Sequence, residues 1–439
     1  MKEKIIILCK LGSKYLNRYR RRYAFLLAAM IFCFGIITFI TSTKDRMYDN
    51  LYYKAQSHYS GDIVAVGYNN YYNISHFLSA DEISSITGAI DESGINPSNI
   101  VKRTIFSNTG VVYYNGISVT QKYVIGCDWE DEAFLFSKMD FSSPLLRQIG
   151  DDSIIISEPV AMQLNSAIGD ILTLEVGNKW GQKNTAQFIV SGIVRDSSIF
   201  AYYKVYISRL SLNRLMSYDD DDCSMIGLFL SKPAGAEEKR SVLHNVLKSK
   251  IQTGPLVYNR EGMDRELEKP WQWENTKVLL FTLPVYLSEI ANLMDAMNML
   301  TYLLYAMMLI IVFVSASVTY RLILHERTKE MGVMRAIGFY GTDIQMILWT
   351  EILILGIISL FAGFIFSVII SAGASFISFS WFSGFEIFLR NGRLTALYLP
   401  GTIILNIIFI FIILIMAVFV PALRASRKNL PSLLSGEPL

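Results

Sequence analysis

Cysteine and histidine are scarce in this chain, with four of each among 439 residues. Cys9, Cys33, Cys127 and Cys223 never fall at Cys-x-x-Cys spacing, which excludes the common structural zinc sites and the thioredoxin-type motif. Cys127 and Cys223 share one polar region and can pair there if its compartment is oxidising. His58, His76, His244 and His325 are scattered, as surface or hydrogen-bonded histidines are. Missing too are the Gly-x-x-x-x-Gly-Lys-Ser/Thr phosphate loop, His-Glu-x-x-His and Gly-x-Ser-x-Gly. The chain is therefore not expected to be an enzyme, and neither a metal nor a cofactor of its own is expected. The acidic run 219–222 lacks the glycine and glutamate of a calcium loop and reads as a solvated loop. Charged residues make up only 18% and hydrophobic residues 52%, a balance that excludes a soluble enzyme. It fits a membrane protein with a large polar insert, for which no nucleic-acid partner is expected.

Residues 1–22 place Ile5, Leu8, Leu11, Tyr15 and Leu16 at helical spacing among basic residues and end in Arg20-Arg21-Arg22. That pattern predicts a basic amphipathic helix on the cytoplasmic membrane surface. Residues 23–42 form a first transmembrane helix, retained because no small-residue cleavage site follows the apolar run. Met47, Leu51 and Ala55 recur among charges beyond it, so the helix is expected to continue out of the membrane. Residues 43–287 are a polar α+β core domain, with strands near 62–66, 154–156, 171–176 and 188–194 and helices near 80–90 and 236–251. Residues 288–327 are the second transmembrane helix, with Ser288 as N-cap. About 40 residues would span about 60 Å, twice a hydrocarbon core, so the first two helices are expected to extend into a stalk. Residues 346–371 and 399–420 are the third and fourth transmembrane helices, joined by a short outer loop, 372–398, whose Trp381, Phe382 and Phe385 suit an interface. Residues 421–439 are a tail.

Lys and Arg set the orientation. The segments 1–22, 321–343 and 421–439 hold 15 basic against five acidic residues, whereas 43–295 holds 23 basic and 31 acidic. By the positive-inside rule both termini are cytoplasmic and the large domain lies outside a cell inner (plasma) membrane.

Between the second and third spans, 326–341 reads as a short charged helix. Lys329 follows Glu326 by three residues, and Met331 and Met334 share another side at the same spacing. Gly338 and Gly341 break it, and Thr342 with Gln345 has capping-box spacing for the next helix. Charge in a loop between spans is also what any cytoplasmic connection carries. Within the spans the only carboxylate is Glu351, open to two readings: proton or substrate handling, or a hydrogen bond to headgroups or a neighbouring helix. Ser359, Gly363, Ser367 and Ser371 recur every four residues, a small-residue ridge for close helix packing within or between subunits. Few polar residues line the spans, so passing movement across the membrane fits better than passing a solute through it.

Glu326-Arg-Thr-Lys-Glu-Met-Gly-Val-Met-Arg-Ala-Ile-Gly338, followed by Glu351, resembles the signature of the FtsX/MacB/LolC-LolE family of ABC transporter permeases. Pro421-Ala-Leu-Arg-Ala-Ser-Arg427 with Pro431 and Leu434 resembles the family's C-terminal ending, and 154–161, 169–174 and 188–193 look like pieces of its periplasmic core domain. The resemblance implies four transmembrane helices with a large MacB-like periplasmic or extracellular domain between the first two. It also implies a permease dimer, homo- or heteromeric, that binds two copies of a separate cytoplasmic ATPase carrying ATP and Mg. Glu326, Arg327, Glu330, Gly332, Arg335 and Gly338 would form the helix docking on that ATPase, with Glu330 and Arg335 in charged contacts and Met331 and Met334 in an apolar insertion. Ser60-Gly-Asp-Ile-Val-Ala-Val66 loosely resembles the first outer strand of lipoprotein-releasing permeases, implying mechanotransmission that extracts lipoproteins. An export permease for peptides, glycolipids or drugs, working with a periplasmic adaptor, and an FtsX-like regulator of cell-wall hydrolases are the alternatives.

Overall fold

The computed structural model describes residues 12, 14–16, 18, 20–69, 74–75, 77–143, 149–196, 198–267, 276–379 and 385–427. Most of the expected amphipathic helix, Trp381, Phe382, His76 and the tail with Pro431 and Leu434 lie outside the described residues. The chain divides into two units, residues 1–48, 294–379 and 393–439, and residues 49–293 and 380–392.

The first unit is helical. Its long helices belong to Arg20–His58, Ser288–Glu326, Gly341–Ser375 and Pro400–Arg427, all long and apolar enough to cross a membrane. The short helix Thr328–Ala336 sits between the second and third. Gly338 ends it at φ +101°, a left-handed conformation open to glycine without strain. The next helix starts two residues earlier than its Thr342/Gln345 spacing predicts. Its N-cap is Tyr340, whose N–H donates to the Asp343 carboxylate at 2.9 Å, and Gly341 opens the helix instead of breaking one. A carboxylate three residues into a helix is the stronger acceptor and meets the helix dipole.

The small-residue ridge packs inside the chain. Ser359 and Ser367 are buried, and a Cβ on Gly363 would lie 2.9 Å from the Ile31 carbonyl, while one on Gly35 would lie 2.6 Å from the Phe366 ring. First and third helices therefore meet glycine to glycine. The fourth helix continues through Pro421 without a break. Proline removes the N–H that would satisfy the Ala417 carbonyl, and the Ser317 hydroxyl of the second helix donates to that carbonyl at 3.2 Å. A polar seam joins the first helix to the fourth, with Asn406 donating to Thr41 at 3.0 Å and Thr402 to Asp45 at 2.6 Å.

The second unit is built on a twelve-stranded mixed sheet. Its strands are β1 (Ile63–Asn69), β2 (Ile74–Ser75), β3 (Asn99–Phe106), β4 (Gly110–Tyr114), β5 (Ile117–Gln121), β6 (Tyr123–Cys127), β7 (Ser153–Ser157), β8 (Ile171–Gly177), β9 (Lys183–Val194), β10 (Lys204–Ser208), β11 (Met225–Phe229) and β12 (Thr276–Thr282). The order is β12-β1-β11-β3-β6-β10-β7-β9-β8-β4-β5, with β2 beside β1. Only β6–β10 and β7–β9 are parallel. The central strands β7, β10 and β11 are buried along their whole length, which requires cover on both faces. Helices Ala80–Glu92 and Ala236–Leu247 supply Ile83, Ile86, Leu243 and Leu247 to one apolar cluster with β1, β11 and β12. Helices Glu158–Leu164 and Arg209–Met216 contribute Val160, Leu164, Leu212 and Leu215 to another.

Cys127 and Cys223 are each buried and free, so the disulfide left open by the sequence is not formed. The acidic run is also structural, since Arg209 and Asn213 donate to the carbonyls of Asp219, Asp220 and Asp222. Residues 385–392 of the loop before the fourth helix belong to this unit. Phe388 and Leu389 are buried, Arg390 and Asn391 bind the Asp140 carboxylate, and Asn50 donates to the Phe388 carbonyl at 3.0 Å.

Candidate functional site

Two polar clusters stand out, one in each unit. In the helical unit, Arg327 lies at the junction of the second helix and Thr328–Ala336. Its N–H bonds the Ile323 carbonyl at 3.1 Å and its own carbonyl accepts the Met331 N–H at 2.9 Å, so helical hydrogen bonding passes through the junction. The guanidinium points inward. Its Nη1 donates to Glu351 Oε1 at 2.8 Å and Oε2 at 3.1 Å, and the Tyr23 hydroxyl donates to Oε2 at 2.6 Å. The Arg327 side chain is 2% exposed and that of Glu351 0%. Tyr15 of the N-terminal segment covers the guanidinium, 4.0 Å from its ring centroid, and its hydroxyl meets the Met334 sulfur at 3.7 Å. Arg18 reaches Glu330 at 3.5 Å, a half-exposed pair worth about 0–1 kcal/mol. The pair with Glu351 is different in kind. Removing one partner would strand the other charge among Tyr320, Ile347, Leu348 and Ile352, a loss of roughly 3–5 kcal/mol.

The intramembrane acid thus serves as a helix-to-helix bond. The helix 328–336 also turns differently from its expected docking pose. Arg327, Met331 and Met334 recur at helical spacing on one face, and that face is the inner one: all three are buried, with Gly332 beside them. These four are therefore packing residues, not outward contacts. Lys329, Val333, Ala336 and Ile337 are exposed, with Val333 at 55% and Ile337 at 71%. Glu326 and Gly338 are exposed, and Glu330 and Arg335 are half-buried. Ser371, the last residue of the ridge, is also half-buried.

The sheet unit holds the other cluster, where the Arg20–His58 helix ends. Arg103 of β3 binds Glu132 through Nε at 2.7 Å and Nη2 at 2.6 Å, and its Nη1 donates to the Ser57 carbonyl at 2.7 Å. A cation on the last carbonyls of a helix meets the negative end of its dipole. The buried Asp62 carboxylate accepts from Tyr52 at 2.5 Å, Gln56 at 3.0 Å and the Leu230 N–H at 2.7 Å. Lys204 Nζ lies 2.8 Å from His58 Nδ1, and burial, reinforced by the Arg103 charge, holds this ammonium well below the usual lysine range. Two basic nitrogens so close cannot both be charged. Together these contacts fasten the last two turns of the helix to β3, to β10 and, through Asp62, to Leu230 just after β11. Among the described residues no group of three or more His, Cys, Asp or Glu could hold a metal.

The sequence singled out Glu351 and Arg327, placed Tyr15 only on the face of an amphipathic helix, and did not mark Tyr23. Nor did it mark Val333 and Ile337 as the outward apolar residues.

Residues 302–430 match the FtsX-like permease C-terminal family model. Among solved structures the chain is similar to the extracellular domain of the ABC-type transporter YknZ from Gram-positive bacteria, at 15% identity and a TM-score of 0.28, covering 38% of this chain and 81% of that one. It is also similar to the periplasmic region of MacB from Actinobacillus actinomycetemcomitans, at 11% identity and a TM-score of 0.31, covering 54% of this chain and 96% of that one. No curated protein matches. The matched segment takes in most of the second apolar helix, the short helix with its inward Arg327, and the third and fourth helices entire, so the chain carries an FtsX-like permease C-terminal domain alongside four helices long and apolar enough to cross a membrane.

Proposed function

We propose that this permease converts ATP-driven dimerisation of a separate cytoplasmic ATPase into movement of its sheet domain outside the membrane. The observation that carries the reading is the two-faced short helix. Its inner face is held by Glu351 and the bundle, and its outer face presents Lys329, Val333 and Ile337, exposed among the described residues. An exposed apolar stripe edged by charge is the surface a soluble subunit would cover. In this reading both termini and the short helix are cytoplasmic, ATP and Mg belong to two ATPase copies, and a second permease, identical or related, completes the assembly. The helices Arg20–His58 and Ser288–Glu326, each of 39 residues, serve as the stalk. The cargo we infer is lipoprotein extracted from the inner membrane. Export of peptides, glycolipids or drugs is the second reading, and regulation of cell-wall hydrolases the third.

Ile337→Asp should remove the ATPase from the purified complex while membrane insertion is unchanged, and undiminished co-purification would refute the docking role. Glu330→Ala and Arg335→Ala should weaken association less, because both side chains are half-buried. Acylated lipoprotein should stimulate ATP hydrolysis by the reconstituted complex, and indifference to it would leave export as the working assignment.

A further inference from the structure

We propose that Arg327, Glu351 and Tyr23 form a closed joint that makes the docking helix move as one body with the first and third helices. The inference rests on the docking reading above and deepens it. Covalently, Thr328–Ala336 continues only from the second helix and leads only through Gly338 into the third. A push on it could bend at that glycine, or pivot at Arg327, where the backbone leaves regular helix at φ −91°, ψ 6°. The side chains remove that freedom. Glu351 lies in the third helix beyond the flexible Gly338, and Tyr23 lies in the first helix, which has no covalent link to the short helix at all. Both Glu351 oxygens are engaged, one by Arg327 alone and one by Arg327 and Tyr23 together. Tyr15 closes the other side of the guanidinium, so three further segments converge on one residue of the junction.

The joint favours the closed state because opening it would leave the Glu351 carboxylate without its cation in apolar surroundings, while Arg327 would keep its longer contact with Glu330 at 3.9 Å. Arg327, Glu351 and Tyr23 are therefore positioning residues: they touch neither nucleotide nor cargo and act by keeping the docking helix in register with the first helix. That helix is the one whose far end is fastened by Arg103 and Asp62 in the sheet unit.

The test uses the full-length permease co-expressed with its ATPase, reading ATPase co-purification and ATP hydrolysis separately. Glu351→Gln keeps the hydroxyl contact but removes the charge, and should cut hydrolysis about tenfold with the ATPase still bound. Tyr23→Phe, the milder change, should cut it about threefold. The double variant Arg327→Glu with Glu351→Arg should recover most of the loss, which a merely destabilised bundle would not. If wild-type protein captures no ATPase, the docking reading falls and the joint with it. If it does, and Glu351→Gln and Tyr23→Phe hydrolyse ATP at the wild-type rate, the joint alone is overturned.

Discussion

At the scale of single residues, buried polar groups sort into those that have partners and those that do not. Glu351 has two donors and is held. The Tyr320 hydroxyl is buried near the same cluster and finds no hydrogen-bond partner among the described residues, its ring lying 6.1 Å from that of Tyr23. Tyr320→Phe should therefore be neutral or stabilising by up to about 1 kcal/mol, which thermal unfolding in detergent would show. Lys204 offers a pH test. Its native amine resists protonation, whereas the unfolded amine takes a proton below about pH 10.4, so the native state binds fewer protons and stability falls as pH drops from alkaline toward neutral. Lys204→Met should flatten that slope between about pH 10 and pH 7 and raise the melting temperature at neutral pH. An unchanged slope would place the titration elsewhere. Glu351 was legible in the sequence as the lone carboxylate of the spans. Its partners were not, because Tyr23 and Arg327 lie 328 and 24 residues away and no spacing rule links them. Met331 and Met334 were legible as a face, but not as the face turned inward; only Glu351 drawing Arg327 into the bundle decides that.

Among the elements, the helices repair their own irregularities through neighbours. Pro421 frees a carbonyl that Ser317 takes up, so the two positions should be coupled. Ser317→Ala is expected to cost about 1 kcal/mol in the wild type and close to nothing when Pro421→Ala has restored the backbone donor, a difference a double-mutant cycle measures directly. The contact between Gly35 and Gly363 is equally specific. Gly363→Leu would drive a side chain into the Ile31 carbonyl and the Phe34 ring, costing about 1–3 kcal/mol or more as lowered melting temperature, whereas the same change at Gly373, with open space around it, should cost little. The ridge was readable from its four-residue period; that it meets Gly35 of the same chain was not, since periodicity gives a face but not its neighbour. In the sheet domain, strands with a simple alternation or an apolar run, such as β7, β8 and β9, were readable. The insertion of β10 between β6 and β7 depends on pairings far apart in sequence and was not, whereas the hairpin β4–β5 is a local pairing across Asn115-Gly116 whose turn signal was passed over.

For the whole molecule, two helices, Arg20–His58 and Ser288–Glu326, run through both units. The helix Arg20–His58 supplies Tyr23 to the bundle and Tyr52, Gln56 and Ser57 to the sheet unit's anchor, while the loop residues 385–392 return from the third helix to bind Asp140 and Asn50. Four apolar helices, a polar domain between the first two and a short charged helix after the second were all legible in composition and charge, because membrane thickness imposes them on the sequence. Transfer of force from an ATPase to the outer domain is the claim that joins them. Its most direct test is a photo-crosslinking side chain placed at position 337 in the full-length protein in cells, with position 334 as the buried control. The account predicts an adduct between position 337 and a soluble ATPase subunit, and none from position 334. Adducts from position 337 to lipid alone, or to no ATPase, would contradict it.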